Sequence, residues 1–222
     1  MMLHRPSNVL AIVALLFLFE AGSSQAALIS STVNQDGHKV FVGGGAASKV
    51  GTFTFPRGYS QYTDILFRGW VDLAGTAVGP ATPILVFAAY DPLAPDSSFL
   101  NGPVVPTSLR VHNNTDPATF GIDERVVGWE PLSASEGMAI ANLVNQDPLG
   151  RIDAWLYSPS ITDFSTPDMV ELLTFNGQEW VIESVVLTST LSFQAVPEPT
   201  SAMILFGVLM SASVFHGRVK RS

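Results

Sequence analysis

The chain contains no cysteine. Disulfide staples, thiolate nucleophiles, cysteine-ligated zinc, iron–sulfur clusters and thiol redox chemistry are therefore excluded. Many small exported domains rely on disulfides, but about 170 residues suffice to bury a core without them. Basic residues are also scarce, eleven Lys and Arg against nineteen Asp and Glu. Between Ala27 and Val196 the imbalance sharpens to seven basic residues against seventeen acidic ones, a net −10. Such a region has no electrostatic footprint for nucleic acid. It repels anionic lipid and acidic polymer, and it can attract divalent cations. Only His38 and His112 fall within it, too few for a histidine-rich metal site. No Gly-x-Ser-x-Gly elbow is present to seat a serine nucleophile. The run GGGAAS at 43–48 lacks the following Lys-Ser/Thr and helical pattern of a phosphate cradle, and its composition reads as a flexible loop. No internal repeat of fixed period is evident.

What is present is clearest at the two ends. His4 and Arg5 open a short polar, basic start, and Val9 to Phe19 is almost wholly apolar. Ser24 and Ala26 then place small residues at the −3 and −1 positions of a signal-peptidase site. This three-part order reads as a secretory signal over 1–26, cut between Ala26 and Ala27. At the other end, residues 201–215 carry neither charge nor proline. As a helix they would span roughly 22 Å, short of the ~30 Å hydrocarbon core unless the flanks extend them. His216, Arg218, Lys220 and Arg221 follow, and basic residues beside a membrane segment stay cytoplasmic. The expected topology is a domain outside, a transmembrane helix over 201–215 and the tail 216–222 inside.

Between domain and helix stands Val196-Pro197-Glu198-Pro199-Thr200. The prolines keep this junction extended, the form in which a peptidase cleft accepts a substrate. Motif, apolar helix and basic tail in this order, paired with a signal peptide, resemble a PEP-CTERM protein-sorting signal over residues 195–222. The resemblance implies an inner-membrane-anchored precursor recognised by an exosortase, an integral-membrane cysteine peptidase. It also implies cleavage near Val196, Pro197, Glu198 and Pro199, with transfer to the cell surface or extracellular matrix. The setting it implies is a Gram-negative bacterium that makes exopolysaccharide and biofilm. Proteins carrying this signal differ widely in their passenger domains, so the resemblance implies a route and no activity.

The region 27–194 is a series of short apolar runs separated by turn formers. Expected strands are KVFV, GTFTF, TDILFRGWVDL, PILVFAAY, TSLRVH, RVVGW, RIDAWLY, MVELLTF and EWVIESVVLTSTLSF. Gly, Pro, Asn and Asp punctuate them, which predicts an all-β fold: an antiparallel sandwich, jelly-roll-like or similar. In MVELLTF-NG-QEWVIESV, Asn176-Gly177 suits a two-residue type I′ turn that would set Phe175 opposite Gln178 and Leu173 opposite Trp180. A short helix started by Ser165 or Thr166 and Pro167 is the weaker rival there. One helix is expected in SASEGMAIANLVNQ, where Ser133 and Glu136 have capping-box spacing. Met138, Ala141 and Leu143 fall partly on one face of it, and Gly137 weakens it.

Candidate sites are sparse. Asp91-Pro92, Asp116-Pro117 and Asp147-Pro148 read as turn starts in which the carboxylate accepts nearby backbone N–H groups. Asp91, Asp96, Ser97 and Ser98, or Asn113, Asn114, Asp116, Asp123 and Glu124, offer oxygens to calcium, but without the spacing of an EF-hand. His112 could join a serine triad only on paper, and with seventeen acidic residues a glycosidase pair carries no signal. Trp70, Trp129, Trp155 and Trp180 each lie in an apolar run and read as core, with an exposed row of them as the mark of sugar stacking. Asn113-Asn114-Thr115 reads as turn composition. The expectation is a non-enzymatic surface or matrix protein without a catalytic residue, metal or required cofactor. The alternatives are an extracellular polysaccharide-acting hydrolase and a calcium-dependent carbohydrate-binding module.

Overall fold

The computed structural model describes residues 26–72, 83–92, 99, 102–110, 124–160 and 164–197. They form eleven strands: β1 (Ala27–Asn34), β2 (Lys39–Val42), β3 (Gly45–Thr54), β4 (Tyr59–Val71), β5 (Ile84–Ala89), β6 (Val104–Arg110), β7 (Glu124–Pro131), β8 (Arg151–Ser158), β9 (Met169–Phe175), β10 (Trp180–Val186) and β11 (Thr188–Pro197). A helix, α1 (Ala134–Gln146), joins β7 to β8. The all-β reading thus holds, with antiparallel sheets and the helix where it was expected.

The pairing is nested. β1 pairs with β11, β3 with β8, β4 with β7 and β5 with β6, each antiparallel. Leaving aside β2 and the β9–β10 pair, this joins first strand to last, second to second-last, and so inward. Successive pairs alternate between two sheets, of order β1-β11-β4-β7 and β2-β3-β8-β5-β6. β2 is added to β3 through Gly43-Gly44, whose φ angles of 57° and 89° suit a tight turn that L-residues resist. The expected loop at 43–48 is corrected here. Only the two turn glycines lie outside strands, while Ala46, Ala47 and Ser48 are fully buried in β3. Small residues that suggest a loop by composition are also what a strand covered on both faces can accommodate.

Apolar side chains from both sheets share one core. At its centre the Phe193 ring of β11 stacks on Tyr62 of β4, with centroids 4.5 Å apart. It meets Phe55 edge-on at 4.9 Å and Phe87 of β5 at 5.7 Å. Each such ring stabilises the fold by about 1.5–3 kcal/mol through burial alone. A second cluster lies around Trp155, with Ala47, Val86, Ala88 and Phe99.

The helix begins at a full capping box. The Glu136 N–H donates to Ser133 Oγ, and the Ser133 N–H donates to the Glu136 carboxylate at 2.8 Å. Its buried residues are Gly137, Ile140, Ala141, Leu143 and Val144, whereas Met138 points to solvent. Gly137 has a structural reason: a Cβ there would lie 1.8 Å from the Tyr62 carbonyl oxygen of β4. The helix stops at Asp147 because a residue before proline avoids the α region, and Asp147 is extended at φ −79°, ψ 130°. The Asp147 carboxylate accepts the N–H groups of Leu149 and Arg151 and two bonds from the Arg151 guanidinium. These bonds, the side-chain pairing with Arg151 foremost, lower its pKa to about 2. The turn reading of this Asp-Pro pair is therefore met.

Two further corrections concern the ends of the β region. β1 was not among the expected strands, since ALISSTVN is half Ser, Thr and Asn. Ser30, Thr32 and Asn34 line the outer face with Leu28, and there Ser30 bonds Ser192 and Thr32 bonds Thr190 across the ladder. The expected hairpin exists, but its register differs by two residues. Phe175 faces Trp180 and Leu173 faces Ile182. The cause is the Asn176 side chain, whose Oδ1 accepts from both Gln178 and Glu179 N–H and so organises a four-residue loop. The long final run is two strands, split at the buried Leu187, whose N–H donates to the Asp168 carbonyl.

Two substitutions test this account. Gly137→Ala raises intrinsic helix propensity by about 1 kcal/mol, yet the clash with Tyr62 should outweigh it and lower the urea midpoint. An unchanged or raised midpoint would show that α1 does not approach β4 so closely. For Asp147, a depressed carboxylate stabilises the fold above its unfolded pKa of about 4 and loses that contribution as pH falls toward 2. Asp147→Asn should lower stability by about 1–2 kcal/mol at neutral pH. It should also flatten the stability–pH curve between pH ~4 and ~2; an unaltered curve would contradict the pairing.

Candidate functional site

The expected processing sites lie at one end of a single ladder, where β1 begins and β11 finishes. Ala26 is exposed, and Ala27 opens β1 opposite Ala195 of β11. The folded unit spans Ala27–Val196. Near its close, Ser60 Oγ donates to the Val196 carbonyl at 3.3 Å and Thr63 Oγ1 to the Gln194 carbonyl at 3.4 Å. β11 stops at Pro197, which has no N–H with which to continue a ladder. Glu198 and Pro199 of the motif, the segment 201–215, and Arg218, Lys220 and Arg221 lie outside the described residues. Among the described residues no helix is long and apolar enough to cross a membrane.

This geometry constrains any peptidase. A protease cleft takes its substrate as an extended strand with free backbone groups. Backbone from Ala27 onward is engaged by β11 once the sheet has formed, so a cut at Ala26–Ala27 belongs before β1 pairs. At the C-terminal side the Val196 carbonyl is already bonded to Ser60.

Among the described residues, one polar cluster is built around a buried ion pair. Lys49 of β3 is 2% exposed, and its Nζ sits 3.4 Å from Asp153 of β8 and 3.5 Å from Asp36. Asp153 is fully buried and also accepts from Thr52 Oγ1 at 2.6 Å. The Lys49 ammonium lies 6.0 Å from the Trp155 ring, and His38 meets that ring edge-on. Thr166 fastens the following loop to the same strand, bonding Ser48 Oγ and donating to the Lys49 carbonyl. A lysine held between two carboxylates and closed off from solvent is suited to holding strands together, not to proton transfer with a substrate. Sequence reading passed over this cluster, although a signal existed: Asp153 is the one carboxylate in the largely apolar run RIDAWLY.

The tryptophans divide. Trp155 is fully buried, as expected, and Trp70 is half-buried. Trp129 and Trp180 are 62% and 66% exposed, which corrects the core assignment for both. Each follows strand alternation: Trp129 lies on edge strand β7, and Trp180 on a hairpin whose outer face is covered by neither large sheet. Among the described residues no three His, Asp or Glu side chains group to hold a metal. Asp96, Ser97, Ser98, His112, Asn113, Asn114, Asp116 and Asp123 lie outside those residues, and Glu124 opens β7.

No protein-family model matches this chain, and no curated protein matches it.

Proposed function

We propose that the chain is an exported, non-enzymatic surface or extracellular-matrix protein, a jelly-roll β-sandwich sorted by an exosortase in an exopolysaccharide or biofilm setting. The carrying observation is how the folded unit fits between the two sorting segments. It opens at Ala27, the residue after the expected signal cut, and closes at Val196, the first residue of the sorting motif. The nested strand order supports the jelly-roll reading, an architecture shared by lectin and capsid domains. That likeness is one of fold, and function must come from sites. Burial of both Lys49 and Asp153 supports a structural role for that pair.

On this reading signal peptidase removes residues 1–26, and the 201–215 segment holds the precursor in the inner membrane with Arg218, Lys220 and Arg221 inside. Glu198 is then the recognition charge, since its neighbours in the motif offer only apolar side chains and backbone. A second reading, a carbohydrate-binding module, is favoured by Trp129, a flat ring exposed on an edge strand. Retardation in a polysaccharide affinity gel that Trp129→Ala abolishes would establish it; equal migration of the two proteins would remove it.

The sorting reading is tested in a host that carries the matching peptidase. Glu198→Ala barely alters membrane affinity, so the variant should accumulate as uncut precursor in the inner-membrane fraction while the parent protein leaves the cell. Equal export of the two proteins, seen on an immunoblot of both fractions, would refute recognition through Glu198.

A further inference from the structure

β9 and β10 form a two-stranded sheet of their own, inserted in the crossing from β8 to β11. Such a hairpin is marginal in water unless something covers it. Ten of its fourteen strand residues are apolar, the exceptions being Glu171, Thr174, Glu183 and Ser184. Cross-strand partners share a face, so Phe175/Trp180, Leu173/Ile182 and Met169/Val186 stand on one side, with Glu171/Ser184 as its polar rung. All six of those apolar side chains are exposed, from 47% for Met169 to 66% for Trp180 and Ile182. The Phe175 and Trp180 rings pack together at 5.4 Å next to the turn.

We propose that this face is a self-association surface on which a second copy of the chain packs, hairpin against hairpin, about a two-fold axis. The area is adequate. Six side chains at these exposures present on the order of 600 Å² per copy, so two copies reach roughly the 1,200 Å² lower bound of stable specific interfaces. The composition also fits. Three of its four rungs are apolar, with the aromatic pair at the turn end, and the Glu171/Ser184 rung separates Met169/Val186 from the other two. The edges carry none of the usual guards, since residues 169–186 contain no proline or lysine and their pairing has no bulge.

Other occupants fit less well. Residues 169–186 carry three glutamates and no basic residue, the wrong sign for anionic lipid headgroups. The hairpin joins β11 at Leu187, whereas the chain leaves at Pro197, the other end of a ten-residue strand. At 3.2–3.4 Å per residue that is about 30 Å away, which separates the hairpin base from the end of the domain at Pro197. Sugar-stacking platforms surround their rings with hydrogen-bonding groups, while here the adjacent rung is Leu173/Ile182. The inference is independent of the sorting reading, because it concerns the domain however that domain is delivered.

Residues 27–197 hold a core closed by their own first and last strands, so this segment can be tested directly. Analytical ultracentrifugation should show a monomer–dimer equilibrium with a micromolar Kd. Leu173→Glu with Ile182→Glu should weaken it at least tenfold, while the circular dichroism of the domain stays unchanged. A monomer at ~100 μM would overturn the proposal, as would a dimer that survives the double substitution. If that variant does not fold, the cysteine-free chain allows Ser184→Cys as a single spin-label site. Pulsed dipolar spectroscopy should then report label pairs within about 30 Å, a few strand spacings across a two-fold axis; only background decay would overturn the proposal. Co-sedimentation of 27–197 with anionic vesicles, lost in the double variant, would assign the face to lipid and overturn pairing of copies.

Discussion

The pairing of β1 with β11 is the constraint on which the structure depends. It joins Ala27 to Ala195 and closes a nested set of strand pairs that otherwise has open ends. β11 lies inside its sheet, between β1 and β4, and supplies Phe193 to the centre of the core. Contacts between such distant parts of the chain must overcome loop-closure entropy before they stabilise anything, so a fold of this kind completes late. The last strand to emerge is thus the one that completes the domain. This strand ends inside the motif, with Val196 and Pro197 as its last two residues. Under the proposed function, a sorting peptidase would meet its substrate sequence as soon as the domain is able to close. Both ends of the domain also leave from neighbouring rungs, so a tether at one end keeps the other at the same pole.

The far end of the β1–β11 ladder is held by polar groups. Gln35 is 4% exposed and uses its whole amide. Its Nε2 donates to the carbonyls of Trp70 and Pro167, and its Oε1 accepts from the Trp70 N–H and the Ser189 hydroxyl. One side chain therefore ties β1, β4, β11 and the approach to the β9–β10 hairpin. Lys49 and Asp153 do the same between β3 and β8. Removing the cation of such a buried pair costs about 3–5 kcal/mol, whereas an exposed pair contributes about 0–1 kcal/mol. Both clasps lie where the hairpin and the 164–168 loop attach, which anchors an insertion that has little apolar contact of its own.

Much of this was legible in the sequence, and the misses have physical causes. Runs such as RIDAWLY and PILVFAAY read as strands because β-branched and aromatic residues cluster between turn formers. Ser133 and Glu136 announced the helix start through a purely local interaction. β1 escaped because half of its residues are Ser, Thr and Asn, and it lies next to the expected signal cut. The buried half of GGGAAS escaped because small residues mean a loop or a crowded strand, and only tertiary context decides. The hairpin register turned on which backbone groups one asparagine side chain would bind. Exposure of Trp129 and Trp180 depends on which faces find a partner, which no local pattern encodes. The Lys49–Asp153 pair joins residues about a hundred positions apart; each charge could be seen in its strand, but not their meeting.

These features describe an antiparallel β domain whose last strand completes its core. Its functional residues, on the proposed reading, lie at its boundaries and on one uncovered hairpin. The most direct test of the central claim is the intact mass of the protein recovered outside an exosortase-bearing cell. The account predicts a chain that begins at Ala27 and ends between Pro197 and Thr200. A recovered chain that still carries Ser222 would contradict it and leave the C-terminal segment as a plain membrane anchor.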